Sequence, residues 1–352
     1  MNIFIPYISF PTKDKRVLFI LTRPFYSEKG WANNNIVNNK WNLGNDFCFT
    51  DSIEKAQMVL IPFSINTYFV GNKGDELATI NQLCSQYNIK AYGFIGGDFG
   101  TDFPEFSNIT YFRMGGFKKQ LSDKNKGFPV SFSDHFQRLF HQETIMPTVK
   151  KELPIVGFCG HAATSLTKRL KETVKCILEN SKRFIEKPFR NDYEPLFASA
   201  YERAKLLHIF EKSAFIKTNF IYRKNYRGGA ITEAQRDATS LEYYHNIQQS
   251  DYILCVRGGG NFSVRLYETL MLGKIPIFVD TDCLLPFEET INWKNHVVWI
   301  AWKDRKKIAS IVSDFHHQLS DENFVKMQLN NRKLWKETLS VKGMLEMISN
   351  DI

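Results

Sequence analysis

Two arginines and three consecutive glycines stand close together in the segment 251–287. The apolar stretch Tyr252–Val256 leads into Arg257 and Gly258-Gly259-Gly260-Asn261, and a helical pattern begins at Ser263. Glycines let a backbone approach a ligand closely and adopt positive φ, and the free amides at a helix start attract an anion. Arg257 and Arg265 add forked donors suited to phosphate oxygens. The segment therefore predicts a diphosphate site.

Glu268 follows Arg265 by three positions, so both side chains project from one face of the predicted helix. A carboxylate one turn beyond a phosphate site can accept hydrogen bonds from ribose hydroxyls. A plain surface pair at this spacing, stabilising by about 0.2–0.5 kcal/mol, is the alternative interpretation. The glycine loop just before the helix favours the ligand interpretation.

The elements that must position these residues alternate between strands and helices. Continuous apolar stretches predict strands covered on both faces, and their alternation with helices predicts parallel sheets. In the first half the predicted strands are Arg16–Thr22, Met58–Ser64, Ile89–Ile95, Ile109–Met114 and a weaker one near Val130. In the second half they are Ile155–Cys159, Phe215–Tyr222, Tyr252–Val256, Ile275–Val279 and Val297–Ile300.

The helices predicted for the second half are Leu166–Leu178, Phe197–Phe210, Thr232–Gln249, Ser263–Leu272 and two more that close the chain. Thr232-x-x-Gln235 is a capping box that opens the third of them. The polar stretch 31–39 predicts a surface loop. We therefore expect two α/β halves with a boundary near residue 150 and a ligand site in the cleft between them.

The composition is that of a folded protein with more than one core. The 352 residues exceed one ordinary hydrophobic core, and 43% hydrophobic with 24% charged residues is typical of globular chains. No apolar stretch reaches the roughly 20 residues of a membrane-spanning helix, and no secretory signal pattern opens the chain. We therefore expect a cytoplasmic protein.

The charge balance and the cysteines restrict the partners. The net charge of +9 suits phosphate-bearing ligands, an anionic membrane surface or nucleic acid. Nucleic acid is not expected as a partner, because no recognition helix, zinc finger or aromatic RNA-binding signature occurs. The six cysteines are widely spaced and form no C-x-x-C pair, which predicts reduced thiols without a zinc site or disulfide framework.

From Tyr252 to Trp293 the sequence resembles the exostosin-like glycosyltransferases (glycosyltransferase family 47). The motifs that carry the resemblance are Cys255-x-Arg257-Gly258, Ser263-x-Arg265-x-x-Glu268, Gly273-x-Ile275-Pro276, Leu285-Pro286-Phe287 and Ile291-Asn292-Trp293. A weaker similarity extends back through Gly157-Phe158-Cys159-Gly160 and Arg169-Leu170. The strong match covers about forty residues and the weaker one about half the chain. The motifs are specific in combination, because all fall in order at suitable spacing.

The resemblance implies a GT-B-type α/β fold of two Rossmann-like domains that face an interdomain cleft. Residues 1–150 would form the acceptor-side domain and 151–320 the nucleotide-sugar domain, with the helix in 321–352 packing back toward the first. It also implies an inverting, metal-independent transfer, usually from a UDP-sugar, to a glycan or lipid-linked glycan acceptor. No cofactor or metal is expected, and peripheral association with the inner membrane surface would suit a lipid-linked acceptor.

The resemblance also assigns roles to the site residues. Arg257 and Arg265 would stabilise the leaving diphosphate, and Glu268 would hold the ribose. The other residues expected to bind the nucleotide sugar are Gly258, Gly259, Gly260, Asn261 and Ser263. An inverting transfer also needs a base that deprotonates the acceptor hydroxyl. Asp98, after a predicted strand that ends in two glycines, is the first candidate, with Asp102 and His161 as alternatives.

Two other enzyme classes fit parts of the same segment. Gly258-x-Gly260-x-x-Ser263, with Asp280 about 20 residues on, approaches the NAD(P) fingerprint of Rossmann oxidoreductases. The serine in third place and the charges of the following helix depart from that pattern. Asp280-Thr281-Asp282 would suit a metal-dependent GT-A transferase, but it follows a complete phosphate loop. A binding protein without activity is the remaining alternative.

Overall fold

The computed structural model describes residues 1–6, 17–27, 30–31, 41, 43–186, 193–224 and 226–350. The first half holds β1 (Asn2–Phe4), β2 (Tyr26–Ser27), β3 (Gly30–Trp31), β4 (Cys48–Thr50), β5 (Met58–Ser64), β6 (Ala91–Ile95), β7 (Ile109–Arg113) and β8 (Asn125–Gly127). The second half holds β9 (Ile155–His161), β10 (Lys217–Arg223), β11 (Tyr252–Cys255), β12 (Ile275–Asp280) and β13 (Val298–Ala301). The helices are α1 (Ile65–Val70), α2 (Gly74–Tyr87), α3 (His135–Phe140), α4 (Leu166–Glu186), α5 (Ser199–Glu211), α6 (Glu233–Gln248), α7 (Val264–Met271), α8 (Ile308–Gln318), α9 (Asp321–Leu334) and α10 (Val341–Ser349).

The strands form two larger sheets in which every pairing is parallel. The first has six strands in the order β4-β1-β5-β6-β7-β8, and the second has five in the order β10-β9-β11-β12-β13. When the strands of each sheet are numbered in chain order within that sheet, both orders begin 2-1-3-4-5, which is a doubly wound order. The strand order reverses direction between β1 and β5 in the first sheet and between β9 and β11 in the second. The predicted α/β class with two Rossmann-like halves is confirmed by these topologies.

The central strands of each sheet are covered on both faces, which explains their continuous apolar stretches. In β11, Tyr252 and Leu254 face one core with Phe324 of α9, whereas Ile253 and Cys255 face another. Side chains on a strand alternate between its two faces, so a strand buried on both sides is apolar throughout. The expected capping box at Thr232 and Gln235 is present at the start of α6, with both reciprocal hydrogen bonds formed.

Two strand predictions in the first half are wrong. Within 17–22 the chain makes an isolated bridge from Leu18 to Phe63 and then a 3-10 helix, Ile20–Phe25. The Thr22 hydroxyl donates to the Phe19 carbonyl and stabilises this tight turn; Arg16 lies outside the described residues. The strand expected near Val130 is instead β8, five residues earlier. The short strands β1 and β4 had not been predicted, and most of the predicted surface loop 31–39 lies outside the described residues.

The chain passes from the first core to the second at about residue 129. Phe128 still packs in the first core, whereas Phe136 of α3 packs with the helices of the second. Asp134, which caps α3, pairs with Arg332 of α9 at 2.5 Å. The segment 130–150 therefore packs on the second half, earlier in the chain than the boundary expected near residue 150.

The C-terminal segment returns to the first half. Three helices follow β13, not two, and a π-helical turn at Trp335–Leu339 separates α9 from α10. Val341, Met344 and Ile348 of α10 lie in the same core as Ile3 of β1. No helix within the described residues has the length and apolar character needed to cross a bilayer. All six cysteines are free thiols.

Candidate functional site

A cleft of about 1010 Å³ lies where the two halves meet. Its floor is the carboxyl ends of β9 and β11, at Gly160, His161 and Val256. Where the strand order of a doubly wound sheet reverses, the loops after the two adjacent strands run to opposite faces of the sheet, and ligands bind in the crevice between them. Asp98 lines the cleft from the first half, and α3, which packs on the second half, lines it as well.

The glycine loop lies between β11 and α7 and lines the cleft. Gly258 and Gly259 have open space where a Cβ would project, so their backbone can contact a ligand directly. A Cβ on Gly260 would lie 1.9 Å from the Asp98 carbonyl oxygen, so this glycine permits the approach of the first half. None of the three has positive φ, so the expectation of positive φ was wrong. The loop requires glycine for close approach.

Arg265 projects from the first turn of α7 into the cleft. Its guanidinium donates to the Cys159 carbonyl at the end of β9 (3.1 Å) and lies 4.6 Å from the centroid of the Phe158 ring. The Nε atom is buried and has no hydrogen-bond partner within the described part of the chain. The guanidinium is therefore held in place beside the helix start with donor capacity to spare.

Glu268 lies one turn further along α7 and also lines the cleft. Its carboxylate accepts hydrogen bonds from two hydroxyls of α6, those of Tyr243 and Tyr244. Burial, and then the charge of Glu268, hold the pKa of Tyr243 well above its usual value. Tyr243 therefore remains a donor, and the two hydroxyls orient a carboxylate that lines the cleft.

Arg257 lies away from the cleft, contrary to the expected diphosphate contact. It is 3% exposed, pairs with Glu194 at 3.1 Å and donates to the Gly259 carbonyl (2.8 Å). Phe117 and Phe197 lie on its guanidinium, 5.0 and 4.8 Å from it. The other oxygen of Glu194 accepts from the Gly100 amide in the first half. A buried carboxylate holds this cation inside the protein, so Arg257 positions the glycine loop.

Asn261 is likewise structural. It is fully buried, and its amide donates to the carbonyls of Gly116, Thr281 and Asp282. Its side-chain oxygen accepts from the Thr281 hydroxyl. These contacts tie the glycine loop to the neighbouring loops and leave the side chain no role in ligand contact. Ser263 lines the cleft as the N-cap residue of α7, without a side-chain capping bond.

The three candidate bases lie in different surroundings. Asp98 lines the cleft opposite α7 and is exposed. His161 also lines it, with Nδ1 at 2.9 Å from the Arg223 carbonyl oxygen and a buried Nε2 without a partner among the described residues. Asp102 does not line the cleft. The structure thus brings Asp98 and His161, but not Asp102, to the site.

The two aspartates of the alternative interpretations shape a turn. Asp280 accepts from the backbone amides of Asp282 and Cys283, and Asp282 accepts from the amide of Lys119. Neither lines the cleft, so Asp280 does not lie where an NAD ribose would be held. Among the described residues, no three His, Cys, Asp or Glu side chains cluster as a metal site.

Several basic side chains of the cleft had not been predicted. Arg203 of α5 donates to the His161 carbonyl (2.6 Å), and burial, followed by the charge of Arg265, lowers its pKa to about 10. Lys168, Arg223 and Lys224 also line the cleft. The lining contains six Lys and Arg side chains against the two carboxylates of Asp98 and Glu268. An anion would relieve this excess of positive charge.

Unused hydrogen-bonding groups concentrate in the same cleft. Within the described residues, buried atoms without a partner include Nε of Arg203 and of Arg265, Nε2 of His161 and Nδ1 of His135. All four residues line the cleft. Buried polar groups in folded proteins are normally hydrogen-bonded, so such a concentration indicates a place for a polar ligand.

The ring of His135 in α3 forms part of an aromatic wall of the cleft. Its ring stacks on Phe132 (5.5 Å between centroids) and lies 5.2 Å from Tyr244. Burial, and then the charge of Arg138, lower its pKa to about 4, so the imidazole is neutral at pH 7. No sequence signal indicated this wall, because α3 had not been predicted.

Comparison with known proteins gives a match for the part of the chain that carries Arg265 and Glu268. Residues 197–315 match the Exostosin GT47 domain. A probable glucuronosyltransferase of Oryza sativa subsp. japonica is 37% identical over 90 residues, which are 26% of this chain and 21% of that protein. A probable beta-1,4-xylosyltransferase of Arabidopsis thaliana is 29% identical over 90 residues, or 26% and 22%. The match therefore spans about a fifth of the length of these relatives.

Solved structures give a weaker comparison. S. aureus TarM, crystallised as a mutant with fondaparinux, α-GlcNAc-glycerol and UDP, is 10% identical with a TM-score of 0.35, covering 83% of this chain and 54% of TarM. WaaG, a glycosyltransferase of lipopolysaccharide biosynthesis, is 10% identical with a TM-score of 0.30, covering 100% and 99%. The fold assignment therefore rests on the two strand orders. The resemblance carried by the motifs of 252–293 is confirmed, since they lie within the residues 197–315 that match the Exostosin GT47 domain.

Proposed function

We propose that the cleft binds a nucleotide sugar and that the protein transfers its sugar to a hydroxyl of a glycan or lipid-linked glycan. One observation carries the proposal: Arg265, Glu268 and the start of α7 converge beside the ends of β9 and β11. The helix start and Arg265 suit a diphosphate, and Glu268 suits ribose hydroxyls. The names of the relatives, a glucuronosyltransferase and a xylosyltransferase, agree with such a reaction.

We further propose a UDP-sugar donor and a direct, inverting displacement without a metal ion. The acceptor oxygen attacks the anomeric carbon as the bond to the diphosphate breaks, and a base takes the acceptor proton. Negative charge then accumulates on the departing diphosphate, where fixed cations lower the barrier. Arg265, with Arg203 and Lys168 nearby in the lining, supplies that charge from the protein.

Asp98 is the base we propose, because its carboxylate lies in the cleft on the side of the first half. His161 is the alternative. Asp98→Asn should abolish transfer and leave the donor dissociation constant unchanged, whereas His161→Gln should retain measurable turnover. If Asp98→Asn retains turnover and His161→Gln is inactive, His161 is the base and Asp98 is not.

Calorimetric titration with UDP, UDP-sugars, GDP and NADH tests the binding proposal. We expect UDP and at least one UDP-sugar to bind and NADH not to bind. Arg265→Ala should weaken binding by on the order of 100-fold, since it removes charge-assisted bonds of about 1.5–3 kcal/mol each. Arg305→Ala, at an arginine outside the cleft that lies over Trp302, is the matched control. Equal affinity in Arg265→Ala and wild type would contradict the proposed site.

Transfer itself is tested by product analysis. Incubation with a UDP-sugar and a glycan acceptor should release UDP and give a glycoside whose anomeric configuration is inverted. EDTA should leave the rate unchanged. A retained configuration would refute the inverting mechanism, and a loss with EDTA that Mn²⁺ restores would refute metal independence.

A further inference from the structure

The helix α4 (Leu166–Glu186) exposes its apolar side. Ordinary surface helices bury the apolar stripe and expose the polar one. Here the exposed side chains recur at helical spacing and include Leu166 (68%), Leu170 (64%), Leu178 (58%), Phe184 (58%) and Ile185 (80%), with Val174 and Ile177 between them. We call these seven residues the α4 apolar stripe.

The polar side of α4 faces the protein instead. Arg183 is buried and lies 5.1 Å from the Phe99 ring centroid, and Asn180 bonds the backbone of Glu194 in both directions. Glu172 accepts from the Ala200 amide. The helix is thus fixed in place by polar contacts, and the apolar stripe contributes little to the fold. A contiguous exposed apolar surface of this kind marks an interaction site.

Lysines border the stripe along one side. At about 100° per residue, Lys171, Lys175 and Lys182 project from an arc adjacent to the stripe. None of the three makes an ion pair with another described residue. The glutamates Glu179 and Glu186 lie beyond the lysines, on the side away from the stripe. Apolar side chains beside lysines match the boundary between acyl chains and anionic headgroups.

We propose that α4 docks on an anionic lipid bilayer, with the apolar stripe in the acyl region and the three lysines on the headgroups. Charge complementarity favours a bilayer over a second copy of this chain, because an antiparallel pair of copies joined along the stripe would bring the lysines together. The first turn of α4 carries Lys168 into the cleft lining, so a docked bilayer would lie beside the cleft entrance. The proposal does not depend on nucleotide binding, which is measured separately.

Co-sedimentation with lipid vesicles tests the proposal. The full chain should bind vesicles of phosphatidylcholine containing phosphatidylglycerol, bind phosphatidylcholine alone far more weakly, and detach as salt is raised. Replacing Lys171, Lys175 and Lys182 with Gln should lower the partition coefficient on the order of 100-fold, because each lysine near the surface contributes about 5-fold. Leu170→Ser, Leu178→Ser and Phe184→Ser together should lower it at least as much.

Matched controls keep the result interpretable. Val70, Val149 and Ile231 are exposed elsewhere (85%, 72% and 81%), and their triple replacement with Ser should bind vesicles as wild type does. Lys303→Gln, Lys306→Gln and Lys307→Gln together provide the control for charge. Thermal unfolding and UDP titration of every variant verify the fold and the cleft.

Three outcomes would overturn the proposal. The first is that the wild-type chain does not bind vesicles, and the second is that the stripe and control variants lose vesicle binding equally. The third is that light scattering shows a dimer for the wild type and a monomer only for the stripe variant. The last would identify the stripe as a contact between copies. Loss of vesicle binding with unchanged thermal unfolding in both α4 variants would support the bilayer.

Discussion

The buried pair of Arg257 and Glu194 gives the sharpest test of how the glycine loop is held. Both side chains are nearly inaccessible, at 2% and 4% exposure, and their charged atoms lie 3.1 Å apart. Removing one partner leaves an uncompensated charge in the interior, which costs about 3 kcal/mol or more. Arg257→Met and Glu194→Gln should therefore each destabilise by about 3 kcal/mol. Glutamine retains an acceptor for the Gly100 amide, which bonds to Glu194 in the wild type.

The double variant should lose less stability than the sum of the losses in the two single variants. With both charges gone, the remaining loss is the bond to the Gly259 carbonyl and the contacts with Phe117 and Phe197. A coupling energy of about 2–3 kcal/mol is expected for such neighbours, so the double variant should lose about 3–4 kcal/mol. Urea unfolding followed by fluorescence measures all four proteins, with equal slopes as the check on two-state behaviour.

The same variants distinguish positioning from ligand contact. Below their unfolding temperature, Arg257→Met and Glu194→Gln should weaken UDP binding to similar extents, because both release the glycine loop. The reasoning is refuted if Arg257→Met retains its stability but loses UDP binding while Glu194→Gln changes neither. That result would return Arg257 to the diphosphate contact expected from the sequence.

Three further predictions concern the cleft. Gly260→Ala should destabilise the protein or separate its halves, because the added Cβ would lie 1.9 Å from the Asp98 carbonyl oxygen. Gly259→Ala should fold normally and lower only the affinity for the donor. Thermal unfolding and UDP titration distinguish the two variants. The folded pKa of His135 is about 4 against an ordinary value of 6.5, so the unfolded chain binds the extra proton and stability falls as pH drops from about 6.5 to 4. His135→Gln should flatten that part of the unfolding profile, and an unchanged profile would contradict the assignment. Glu268→Gln should weaken UDP-sugar binding by roughly 10-fold or more, as expected for the loss of a charged acceptor, and unchanged affinity would exclude the ribose contact.

The sequence predicted the second half well because local and tertiary signals agree there. The strands β9, β11 and β12 of the second sheet are largely buried, so the predicted apolar stretches coincide with them. The predicted strands also overlap β13 and the more exposed edge strand β10. The capping box of α6 is local chemistry and formed as expected. In the first half, β1 and β4 are three residues each, too short for a periodic pattern to reveal.

The site residues separate for a different reason. Spacing placed Arg265 and Glu268 on one face of α7, and both line the cleft. Arg257 carries the same charge, but its surroundings depend on Glu194, which is 63 residues away in the chain and carried no signal. Arg203 was not predicted for the same reason. A helical pattern shows which side of a helix is polar but does not show which polar residue lies beside the end of a strand that is distant in sequence. Contacts between segments that are distant in sequence determine which arginine is buried and which one lines the cleft.

A crystal structure of the protein with UDP bound would show directly whether the cleft holds the nucleotide. We expect the diphosphate at the start of α7, with its oxygens within hydrogen-bonding distance of Arg265 and the ribose hydroxyls on Glu268. Electron density for UDP outside this cleft, or a diphosphate that contacts neither residue, would contradict it.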